Sequence, residues 1–160
     1  MLREIIPQVT MEMAAYYAGD PRRIRHFMKV WGYARTIGQL EHLDRRTQLI
    51  LELAALTHGI GDRGQAPESC TGEQPENPTS AEALLARLGY PKEIIQRVCW
   101  LIGHHRICGE RTSPDCQILI EADFLANLDE GNLSPDGARE KIFRTQSGTA
   151  LLDALFPQAN

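Results

Sequence analysis

An all-α fold, a single-domain bundle of about six to eight helices, is what this chain predicts. Three observations lead there. Apolar residues recur at spacings of three and four, and no alternating β-rich run of useful length appears. Helix-starting chemistry, such as Asp20-Pro21 and Asp44, stands in front of the apolar stripes. The 160 residues suffice for one core burying roughly 70% of the unfolded chain's surface, so the fold needs no disulfides.

A first helix is expected over Leu2 to Tyr17, with Pro7 close enough to its start to blur where it begins. Gly19-Asp20-Pro21 then breaks the chain. Asp20 suits an N-cap and Pro21 a first helical position, so a second helix runs from Pro21 to about Leu40 with Ile24, Phe27, Val30, Trp31 and Ala34 as its apolar stripe. Asp44 caps a third, whose last turns (Leu49, Ile50, Leu53, Ala54, Leu56, Thr57) are apolar nearly all round, the pattern of a central helix. Residues 63–79 carry three prolines and almost nothing to bury, which predicts a long, mobile loop leaving from the end of that helix. Such a loop is either a lid over a substrate or an insertion with no part in binding. Ser80 opens a fourth helix with Leu84, Leu85 and Leu88 inward, stopped at Gly89-Tyr90-Pro91. A fifth covers Lys92 to about His105 and a sixth Asp115 to Leu128. Ser134-Pro135 starts a last helical region to Phe143, and Thr149 to Phe156 adds a short apolar turn.

Composition narrows the function. A net charge of −4, with both signs mixed along the chain, argues against a protein that grips nucleic acid by neutralising phosphates. No apolar run approaches the ~20 residues of a membrane span. Cys70, Cys99, Cys108 and Cys116 follow no regular spacing and no secretory leader is visible, so a cytoplasmic protein with free thiols is expected.

The residues that carry chemistry are few. His58 ends the third helix in His58-Gly59-Ile60-Gly61-Asp62, and imidazole and carboxylate are ordinary ligands of transition metals. Read alone, His58 is equally a hydrogen-bonded core histidine and Asp62 a solvated turn residue. His26 lies within a turn of the second helix's apolar stripe. Asp123 stands between Ala122 and Phe124, where a carboxylate requires a cation, hydrogen-bond donors or exposure. His104 and His105 point about 100° apart, so one can face the core while the other faces solvent or a ligand. Arg22, Arg23, Arg25 and Lys29 form a basic cluster around His26. It is either a solvated helix face or a place where a guanidinium meets phosphate with paired donors.

In order along the chain, His26, His58 just after Ala-Ala-Leu-Thr, the double histidine and Asp123 resemble the HD-domain superfamily of metal-dependent phosphohydrolases, particularly its small bacterial single-domain members, from about Arg22 to Phe156. The resemblance implies one helical domain of the HD type over residues 1–160. It also implies a divalent transition metal (Zn, Fe, Mn, Ni or Co) on His26, His58 and Asp123, and a nucleotide or other small phosphomonoester as substrate. His104 or His105 would line the pocket, with Arg22 or Arg25 on the phosphate. The departure is at Gly59, where the family's His-Asp dipeptide carries its aspartate, and Asp62 is a candidate replacement ligand. A degenerate member that binds a nucleotide or anion without hydrolysis is the alternative.

Overall fold

In a computed structural model of the protein, the structure describes residues 2–60, 78–105 and 113–157. Among them are eight helices and no strand: α1 (Leu2–Tyr16), α2 (Pro21–Leu40), α3 (Arg45–Thr57), α4 (Pro78–Arg87), α5 (Lys92–His104), α6 (Pro114–Asp129), α7 (Ala138–Lys141) and α8 (Gln146–Leu155). No helix among the described residues is long and apolar enough to cross a membrane. Asp62 and residues 63–77 of the expected loop lie outside the described residues.

Local chemistry accounts for the boundaries. Asp20 accepts from the Arg23 backbone N–H at 3.3 Å with Pro21 behind it, and Asp44 accepts from the Thr47 N–H at 2.8 Å, each satisfying a donor that the first helical turn leaves open. Pro7 sits inside α1 without ending it. A proline in the second turn forfeits a single early hydrogen bond, a smaller loss than in mid-helix.

The centre of the bundle is α3, in which every residue from Ile50 to Thr57 is buried. It packs against α1, α2, α5 and α6, so it meets apolar neighbours on all sides. Buried Glu52, on α3 itself, and buried Glu121 are both satisfied. Glu52 accepts from Trp31 Nε1 and Gln48 Nε2, each at 2.9 Å, and from Arg35 Nη1 at 3.2 Å. Glu121 on α6 accepts from Gln117 Nε2 and Thr145 Oγ1 at 2.6 Å and from the backbone N–H groups of Arg144 and Thr145, which ties the start of α8 to α6. Gly148 permits that approach, because a Cβ there would stand 1.9 Å from Glu121 Oε1.

The C-terminal region differs from expectation. Ser134-Pro135 does not start a helix: Ser134 Oγ accepts from the Asp136 N–H in a local turn, and Gly137, at φ +76°, holds the chain out of helix until Ala138. In place of a short turn from Thr149, α8 is ten residues long and begins after Thr145, whose hydroxyl caps the Gly148 N–H at 2.9 Å.

Candidate metal centre

Three packed helices bring His26, His58 and Asp123 together. His58 is the residue that ends α3, with 4% of its side chain exposed, where the last carbonyls of the helix have no partner of their own. Its Nδ1 lies 2.8 Å from the Ala55 carbonyl. A carbonyl can only accept, so Nδ1 carries the proton and the lone pair of the neutral ring is on Nε2. That Nε2 is 3.2 Å from Asp123 Oδ1. His26, in the second turn of α2, reaches the same Oδ1 through Nε2 at 3.2 Å, while its Nδ1 stands 2.6 and 2.8 Å from the two carboxylate oxygens of Glu130.

Two imidazole Nε2 atoms therefore converge on one carboxylate oxygen. Such a cluster is stable only with a proton or a cation among its members. One ligand atom from each residue lies within 4.8 Å of the others, so the group could hold a metal ion. Ligand atoms about 2.1 Å from a shared ion stand roughly 3.0–3.4 Å apart, as the two 3.2 Å contacts to Asp123 Oδ1 do, while the group's full spread of up to 4.8 Å would have to close in around the ion. The donor set fits a first-row transition ion better than Mg²⁺, which prefers oxygen ligands and water.

Electrostatics follow the geometry. Burial opposes the Asp123 charge, yet hydrogen bonds to His26 and His58 and the fields of His58 and His105 hold its carboxyl well below the usual carboxylate range. Burial would lower the His26 imidazolium, but Asp123 and Glu130 outweigh it and raise its pKa.

The double histidine divides as the 100° turn between adjacent residues requires. His105 ends α5, is buried, and gives Nδ1–H to the Ile102 carbonyl at 2.7 Å, with its ring 5.1 Å from that of His58. His104 points the other way and stacks on Trp100 at 4.1 Å with planes 10° apart. Arg22 and Arg25 are exposed on the first turns of α2. Between them Arg23, three residues before His26, is half-buried and lies 5.8 Å from the centre of the Tyr17 ring. The Tyr17 hydroxyl donates to the Gly59 carbonyl beside His58.

Sequence reasoning missed Glu130 and Tyr17. Glu130 had a signal: it follows Asp123 by seven residues, two helical turns along the same face. Tyr17 had none, since its contact with Gly59 spans 42 residues.

No protein-family model matches the chain, and no curated protein matches it.

Proposed function

We propose that the protein is a metal-dependent phosphohydrolase of the HD type, acting on a nucleotide or another small phosphomonoester, with a divalent transition metal (Zn, Fe, Mn, Ni or Co) held by His26, His58 and Asp123. The observation that carries this reading is the convergence of His26 Nε2 and His58 Nε2 on Asp123 Oδ1, each at 3.2 Å. When bound, the ion supplies Lewis acidity to a phosphate oxygen and to water at neutral pH.

The chain's own residues do the rest. The Ala55 carbonyl keeps the proton on Nδ1 of His58, so the neutral ring offers Nε2. Asp123 contributes the negative charge that balances a cation. His105, beside His58, offers Nε2–H to an anionic oxygen when it is protonated. Arg22 and Arg25, exposed on the first turns of α2, would bring positive charge to a phosphate on the solvent side of His26.

Gly59 favours a second reading. Without a carboxylate beside His58, three protein ligands remain, and the pocket would bind a nucleotide or anion without turning it over. Elemental analysis combined with phosphate release from nucleoside monophosphates separates the two. Purified protein should carry a first-row transition metal below full occupancy, and Asp123→Asn, which keeps the side-chain shape, should lose both metal and activity. Equal metal in wild type and variant would overturn the site. Metal and nucleotide binding with no phosphate release would select the second reading.

A further inference from the structure

His58 and His105 obtain their tautomer from their own helices, because each ends one and can give Nδ1–H to a carbonyl three residues back that the helix leaves unpaired. His26 has no such recourse. It is the sixth residue of α2, and at that depth the carbonyls of Arg22 and Arg23 serve the helix itself. With no outside acceptor, its neutral ring would place the proton on Nε2 and donate it to Asp123, blocking the atom that a metal needs.

We infer that Glu130 is a positioning residue for the candidate centre, accepting Nδ1–H of His26 so that the His26 Nε2 lone pair faces His58 and Asp123. Both Glu130 oxygens lie within 2.8 Å of Nδ1, which fixes the ring's rotation as well as its tautomer. Glu130 ends α6, its N–H bonded to the Ala126 carbonyl at 3.1 Å, so it is held by the helix that carries Asp123. One turn beyond His26, Lys29 pairs with Asp129 at 2.7 Å and keeps this end of α6 against α2. Helix α6 thus supplies both a ligand and the group that orients a second ligand on the facing helix. This assignment rests on the metal reading only for its purpose; the tautomer is a property of the protein alone.

The test compares Glu130→Ala and Glu130→Gln with wild type by two readouts. The first is ¹⁵N NMR of the five histidines in metal-free protein, at a pH high enough for His26 to be neutral. Wild type and Glu130→Gln, whose amide oxygen still accepts, should show His26 protonated on Nδ1, and Glu130→Ala should show the proton on Nε2. The second is Co²⁺ titration, in which Glu130→Ala should bind about 10- to 100-fold more weakly and Glu130→Gln should recover most of that loss. A merely structural ion pair would change the melting temperature and leave the tautomer alone. His26 keeping its Nδ1 proton in a folded Glu130→Ala variant overturns the inference, as does unchanged Co²⁺ affinity. If wild type takes up no Co²⁺, the metal reading fails and the tautomer result alone decides the role of Glu130.

Discussion

Among the described residues, a Cβ added at Gly59 would meet only the Tyr17 hydroxyl oxygen, at 3.6 Å, and Gly59 is not among the positive-φ glycines Gly19, Gly89, Gly131 and Gly137. Neither space nor backbone conformation demands glycine beside His58. Gly59→Asp therefore introduces a carboxylate next to the converged acceptors without a steric penalty. It should tighten Zn²⁺ or Co²⁺ binding about tenfold or more, equivalent to at least ~1.4 kcal/mol, and raise phosphate release above wild type. Calorimetric titration and a phosphate assay check both, and unchanged affinity in a folded variant would remove position 59 from the site. The same scale explains what could be read in advance. His26, His58 and Asp123 stood out because their order along the chain resembles a known ligand set, with only Asp123, a carboxylate between Ala122 and Phe124, demanding a partner by itself. Glu130 did not, because Asp129-Glu130 at a helix end reads as solvated charge until the facing helix is known.

At the scale of elements, caps made the helices legible. Asp20 with Pro21, and Asp44, placed α2 and α3 because the signal is local: a side chain bonds a backbone N–H three residues on. The start of α8 has a local cap in Thr145 but is also held by buried Glu121 on α6, a tertiary contact with no local signature, and Gly137 overrode the Ser134-Pro135 signal. Gly148→Ala tests the Glu121 junction. Its Cβ would collide with Glu121 Oε1, so the variant should lose about 1–3 kcal/mol in urea unfolding, with Co²⁺ affinity unchanged because Glu121 is not among the converged groups. The start of α6 gives a pH-dependent case. Asp115, 7% exposed, accepts from Arg97 Nη2 at 2.9 Å and Nε at 3.0 Å. Burial opposes its charge, but the bonds to Arg97 and Ser113 prevail and its carboxyl pKa is lowered. A lowered folded pKa contributes stability that is complete above the unfolded value of about 4 and is lost as pH falls through the folded one. Arg97→Ala should accordingly cost about 1.5–3 kcal/mol at neutral pH, the difference from wild type shrinking below about pH 4. A difference independent of pH in acid-denaturation curves would refute the assignment to this pair.

Across the whole molecule, the candidate ligands come from three helices that share most of the core: His26 from α2, His58 from the end of α3 and Asp123 from α6. An ion bound there would join the central helix to both neighbours, and unfolding would separate the ligands by 32 and 65 residues of chain. Any ligand that binds the folded state alone stabilises it by RT ln(1 + [L]/Kd), about 2.7 kcal/mol at one hundred times Kd. For a protein of this size that corresponds to a rise in Tm of roughly 5–11 °C. Wild type titrated with Co²⁺ or Zn²⁺ should show this rise in thermal melts. Asp123→Asn should melt at the same temperature with and without metal, since it lacks the charge that balances the cation. The rise should be smaller in Glu130→Ala, whose His26 presents the wrong nitrogen, and larger in Gly59→Asp. An equal rise in wild type and Asp123→Asn would place the bound ion elsewhere, because metal held only by surface groups gains nothing from the α2, α3 and α6 junction.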